Sequence, residues 1–123
     1  MDAETAALRY LASSLAPHGC AVGRAAPADL AGSLPFAVLT RCGGATDCVT
    51  DSALIEVRVW AADQKECRAL AHCLADALAA ADEGIERAVG SSVTSLSRDY
   101  DTEAGLPMWR VVCTIDYQGE DAR

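Results

Sequence analysis

The chain has 123 residues and a formal net charge of -8, from 10 basic and 18 acidic residues. That balance argues against a surface that grips nucleic acid, which would need clustered lysine and arginine. Hydrophobic residues make up 51% and aromatics only 5%, so composition makes no case for disorder and the core must be aliphatic and rich in alanine.

A first helix is expected from about Ala3 to Ala16, with Asp2 as its cap and Leu8, Leu11, Ala12 and Leu15 as its buried stripe. Pro17-His18-Gly19 ends it, a short strand follows around Cys20 to Arg24, and Ala25 to Leu34 reads as irregular. Pro35 leads into a strong strand, Phe36 to Cys42. Gly43 to Thr50 reads as a long polar connection to a second strand, Leu54 to Ala61. There Ile55, Val57 and Val59 alternate with Glu56, Arg58 and Trp60, as a strand with one buried face requires.

Asp63 stands three residues before Glu66, the acidic form of a capping box, and opens a helix over about Gln64 to Asp82. Cys67, Leu70, Ala71, Leu74, Leu78 and Ala81 share one narrow stripe of that helix at 100° per residue. A weaker strand lies near Ile85 to Arg98, its apolar signal confined to Val89, Val93 and Leu96. Asp99 to Leu106 reads as a charged loop. From Pro107 a last strand begins, with Trp109, Val111, Cys113, Ile115 and Tyr117 on one face, and the tail from Gln118 to Arg123 frays.

This order predicts an α+β fold in one domain over residues 1–123. It is a mainly antiparallel four- or five-stranded sheet with two helices packed on one face. The other face would carry Leu54, Glu56, Arg58, Trp60, Met108, Arg110, Val112 and Thr114. Opposite charges mixed with apolar groups suit contact with another subunit.

Chemistry is sparse. No apolar run approaches the roughly 18 to 20 residues of a membrane span, and the acidic start at Asp2 and Glu4 is unlike a secretory signal. The six cysteines (Cys20, Cys42, Cys48, Cys67, Cys73, Cys113) contain no C-x-x-C and read as reduced thiols, with Cys42 and Cys48 the one pair placed to close a loop. His18 and His72 lie in ordinary polar settings. The run Ser91, Ser92, Ser95, Ser97 alternates with apolar residues like the outer face of a strand, and Gly43-Gly44 lacks a phosphate-binding pattern. No catalytic, metal or cofactor-binding set emerges. A small α+β enzyme or ligand-binding domain would instead predict a pocket around His72 or the serine run.

With its segments in this order, the chain resembles the tail terminator (tail completion) proteins of long-tailed bacteriophages. Four segments carry the resemblance: the N-terminal helix with Leu8, Leu11 and Leu15; LPFAVLTRCGG, Leu34 to Gly44; the strand Leu54 to Ala62 running into the helix with Ala69 and Leu70; and MWRVVCTIDY within Pro107 to Tyr117. The chain departs from the family's usual look in its six cysteines and in the weak strand Ile85 to Arg98.

The resemblance implies a virion protein without chemistry and without a cofactor. Assembled in the host cytoplasm, it would cap the tail tube at the head-proximal end, stop polymerisation and form the docking surface for the head connector. Its partners would be itself, as a ring and commonly a hexamer, the tail tube protein and the connector protein, while DNA passes through the lumen without specific binding. A head-completion or stopper protein of the same joint is the neighbouring alternative. Under this reading Arg41, Asp51, Glu56, Arg58, Trp60 and Arg110 are candidates for the subunit interface. Gly43, Gly44, Asp47, Asp99, Asp101 and Glu103 are candidates for loops that touch tube or connector.

Overall fold

The computed structural model describes residues 3–46 and 50–118. Helix α1 (Ala3–Leu15) is followed by β1 (Ala21–Gly23), β2 (Phe36–Thr46), β3 (Thr50–Trp60), α2 (Gln64–Ala79), the short α3 (Ala81–Gly84), β4 (Ala88–Asp101) and β5 (Leu106–Gln118). The strands form one sheet in the order β1-β2-β3-β5-β4. Every pairing is antiparallel except β1 with β2. The architecture is therefore the α+β sheet expected from the pattern, with five strands and two substantial helices.

Both long helices lie on one face. Ala37 and Leu39 of β2, Ala53, Ile55, Val57 and Val59 of β3, and Val111, Cys113 and Ile115 of β5 are fully buried there. Above them pack Ala3, Ala7, Leu11 and Leu15 of α1 and Cys67, Leu70, Ala71, Leu74 and Leu78 of α2. The α2 cap forms as its sequence implies: the Asp63 carboxylate accepts from the Glu66 amide at 2.8 Å, and Glu66 accepts from the Ala62 amide at 3.3 Å. Two tyrosines fasten the layers. Tyr10 donates from α1 to the Ala77 carbonyl at 2.7 Å, and Tyr117 donates from β5 to the Ala3 carbonyl at 3.1 Å.

Several boundaries differ from the sequence reading. The buried row of α1 is Ala3, Ala7, Leu11, Leu15, while Ala12 is exposed and Leu8 half-buried. Small alanines at two of these sites let α1 approach along a strict i, i+4 row, narrower than the expected stripe. The main helix stops at Ala79 and a separate turn of helix begins at Ala81, which remains buried. Asp2, Asp47 and Cys48 lie outside the described residues.

Both supposed loops are largely strand. Gly43 and Gly44 do not form a connection: they continue β2 past a bulge at Cys42 and pair with Leu54 and Ala53. Asp99 and Asp101 belong to β4 and pair with Met108 and Leu106, so the loop shrinks to a turn over residues 102–105. Polar composition misled because ladder hydrogen bonds come from the backbone, whatever the side chains. β4 runs the full length of β5 despite its thin apolar pattern, with Ala88, Val93 and Leu96 packing against the helix-side core.

Gly44 is the position where backbone conformation is decisive. Its φ is +123°, and a Cβ there would come 1.9 Å from the Ser52 carbonyl oxygen, whereas one at Gly43 would meet only Leu54 Cδ2 at 3.8 Å. Gly44→Ala is expected to destabilise the fold by roughly 1–3 kcal/mol and Gly43→Ala by well under that, read from urea midpoints. Burial pushes the thiols of Cys20 and Cys67 up to about 11 and that of Cys113 up to about 12. Native maleimide labelling at pH 7.5, mapped by peptide, is therefore expected to modify exposed Cys42 quickly and to spare Cys20, Cys67 and Cys113 until denaturant is added.

Candidate functional site

The face of the sheet away from the helices is built from alternate residues of β2, β3, β5 and β4. Its register sets three rows: Thr40, Glu56, Val112, Ser95; then Val38, Arg58, Arg110, Ser97; then Phe36, Trp60, Met108, Asp99. Val38 and, from the last row, Phe36, Trp60 and Met108 turn away from solvent, while Asp99 stays exposed. Val38, Trp60 and Met108 form a second small core under Leu30, Leu34, Phe36 and Leu106. The irregular segment 25–35 thus folds back across this end of the sheet.

Trp60 was expected at a subunit interface, yet it is only 2% exposed within its own chain. Its indole N–H donates to Asp101 Oδ2 at 3.0 Å. The other carboxylate oxygen of Asp101 accepts from the amides of Glu103 and Ala104 at 3.1 and 3.0 Å. One carboxylate thereby closes the β4–β5 turn and anchors the tryptophan. The Ala104 amide first, with the Trp60 indole and Glu103 amide aiding, holds the Asp101 carboxyl below its ordinary range.

Beyond this apolar end the face is charged. Arg58 and Arg110 stand directly opposite each other on β3 and β5, an arrangement that repels unless counter-charges intervene. Glu56 supplies one, 3.7 Å from Arg58 Nε and 3.3 Å from Arg110 Nε, and Asp99 lies 3.6 Å from Arg110. The Arg58 guanidinium also stacks 5.3 Å from the centre of the Trp60 ring. Both Nε atoms are buried without an aligned hydrogen bond; the contacts to Glu56 are electrostatic ones. Leu54, Val112 and Thr114 flank the cluster, half-buried. Two cations, two anions and apolar groups remain on an uncovered surface.

The other expected interface pair is satisfied within the chain. Arg41 grips Asp51 in a two-pronged ion pair at 2.7 and 3.2 Å, and the Arg41 backbone amide donates to Glu4 of α1 at 2.9 Å. Glu103 is exposed on the β4–β5 turn. Gly43 and Gly44 sit in β2, on the far end of the sheet from that turn. The expected sites therefore fall into two regions rather than one.

On the helix side lies a groove at His72, where the enzyme or ligand-binding alternative predicts a pocket. Arg68 and His72 of α2, Leu96 and Arg98 of β4, and Trp109 of β5 line an open groove of about 400 Å³. The Trp109 and His72 ring centres are 6.0 Å apart with planes tilted by 50°, and the Trp109 indole donates to Gln64 at 3.3 Å. Trp109 reads in sequence as one more core residue of the last strand. Only the pairing of β4 with β5 brings Arg98 beside it. Among the described residues its lining offers two guanidinium groups, an imidazole, an indole and a leucine, and no carboxylate, hydroxyl or thiol. Of the serines, Ser91 faces the helices and bridges the α2–α3 joint, within 3.0 Å of the Ala79 carbonyl and of the Asp82 carboxylate. No group of three potential metal ligands gathers among the described residues, and no described helix is long and apolar enough to cross a membrane.

No protein-family model and no curated protein matches the chain. Among solved structures, the fold is similar to that of a chain in the virion of a native gene transfer agent particle. The TM-score is 0.71 at 23% identity, over 95% of each chain. The likeness spans nearly the whole of both chains, and it is one of fold.

Removing the Asp101 carboxylate is expected to free both the turn and Trp60. Asp101→Ala should cost about 1–3 kcal/mol by chemical denaturation and redshift the Trp60 emission. Because the folded carboxyl is depressed, its contribution is present above the unfolded value near 3.9 and fades as pH falls through the folded value. The stability gap between wild type and variant should accordingly narrow below about pH 4.

Proposed function

We propose that this chain is a virion protein that caps a tail tube as a ring, halts the tube's polymerisation and presents a docking surface to the head connector. The observation that carries the proposal is the uncovered charged face of β3 and β5, where Glu56 holds together two arginines that repel each other. Exposed ion pairs of this kind contribute only about 0–1 kcal/mol to a monomer. Mixed with half-buried Leu54 and Val112, they suit a contact that forms when a neighbour excludes water. The fold likeness to a chain of a gene transfer agent virion supports the same class of role.

A ring is a closed heterologous assembly, so each subunit needs two different complementary patches. Glu56, Arg58, Arg110 and Asp99, flanked by Val112 and Leu54, form the first, with Trp60 supporting Arg58 from beneath rather than by contact. The β4–β5 turn with Glu103 is the proposed region that meets tube or connector. A ring of six would carry a formal net charge of -48, six times the -8 of each chain. Such a ring would repel the DNA backbone, and genome would slide through without sticking.

Electron microscopy of particles assembled without this protein tests the role. Overlong or headless tails are expected, and normally joined particles would overturn it. Val112→Glu places a charge on the open face and is expected to abolish rings in negative stain while shifting the monomer's urea midpoint by less than about 1 kcal/mol equivalent. Rings that persist in this variant would move the interface elsewhere.

A further inference from the structure

A long free edge of the sheet runs next to the groove. β4 pairs with β5 on one side only, and among the described residues nothing pairs with its other side. Such an edge presents a row of unpaired N–H and C=O groups. Its first half is broken by register shifts at Ala88/Gly90 and Val93/Ser95, but from Ser95 to Asp101 the register runs without interruption. Leu96, Arg98 and Tyr100 share the helix side of that regular half. Tyr100 is 52% exposed, one of two large hydrophobic residues left so open among the described residues.

The groove alongside is cationic in a chain that is acidic overall. Arg24, Arg41, Arg58 and Arg110 all have carboxylate partners. Arg68 and Arg98 have none among the described residues, and with His72 they converge on the groove around Trp109. Trp109 and Leu96 give it an apolar floor. A stretch of strand edge in regular register thus adjoins a groove with two arginines, a histidine and an aromatic base.

We propose that the Ser95–Asp101 edge and the adjoining groove take an extended acidic segment of a partner protein as a sixth strand, its carboxylates meeting Arg68 and Arg98 and an apolar side chain seated on Trp109. Backbone hydrogen bonding to the edge would supply affinity and the groove would supply selection. A second copy of the chain fits poorly. Pairing two such edges about a two-fold axis would bring one cationic groove toward the other, and like charges there disfavour the contact. The row of peptide groups along the edge favours a polypeptide over another polyanion. The groove lies on the opposite side of the sheet from the charged face, which the edge adjoins through Asp99, and the proposal does not depend on the capping role.

The test uses the full chain and the peptide acetyl-Glu-Val-Glu-Val-Glu-Val-amide, with its lysine counterpart as control. Saturable binding of the acidic peptide is expected, with quenching or shift of Trp109 emission and slowed amide exchange across residues 95–101. Affinity should fall at least tenfold in the Arg68→Glu/Arg98→Glu double variant and by a smaller factor in Arg68→Gln/Arg98→Gln. It should stay unchanged in Arg9→Glu on α1. Equal binding of both peptides, full binding by the charge-reversed variant, or exchange protection outside β4 would overturn the proposal. So would tighter binding of oligothymidylate at the same residues, or a concentration-dependent dimer that Arg98→Glu dissociates. A positive result with normally joined particles in the deletion experiment would leave this surface standing and remove the capping role alone.

Discussion

The antiparallel pairing of β3 with β5, eleven residue pairs from Thr50/Gln118 to Trp60/Met108 without a bulge, governs the rest of the molecule. Side chains alternate across a strand, so this register places Val57 against Val111 and Ile55 against Cys113 under the helices, and Arg58 against Arg110 on the other side. A slip by one residue would send the charges into the core and the valines to the surface. The buried inner row sets the register. The repulsive arginine pair is a consequence that the outer face must accommodate.

Magnitudes separate the two faces. Each buried valine, leucine or isoleucine of the helix-side core contributes about 1.5–3 kcal/mol, and twelve are present. The ion pairs around Glu56 involve side chains roughly a third exposed and contribute at most about 1 kcal/mol each. The inner face therefore holds the fold, and the outer cluster can vary in its contacts without threatening it. The fold-back of segment 25–35 narrows what is available further, since Val38, Trp60 and Met108 are taken by Leu30 and Leu34. What remains open is a charged band across β3 and β5, and separately the groove beside the β4 edge.

Asp101 links the apolar end to the turn. A residue that composition assigns to a charged loop proves to be a strand end whose carboxylate accepts from Trp60, Glu103 and Ala104. Anchoring the tryptophan keeps its ring under the Arg58 guanidinium. Local turn chemistry and a distant surface charge are thus coupled through one indole.

Periodicity alone determined the inner half of the molecule. The alternation in β3 and β5, the stripe of α2 and the Asp63/Glu66 cap each follow from neighbours within a few positions, where spacing and burial are tied by local geometry. The strand lengths were decided by pairing: Gly43, Gly44, Asp99 and Asp101 join the ladder because their backbones meet partners on the neighbouring strand, which their own side chains do not record. The same holds for the surfaces. Trp60 reads as exposed until segment 25–35 covers it, Arg41 and Asp51 read as available until they meet each other, and Arg98 reads only as the end of a weak strand until β4 sets it beside Trp109 and α2. Which residues are free to meet a partner depends on what the rest of the chain already covers, and only the assembled tertiary structure contains that information.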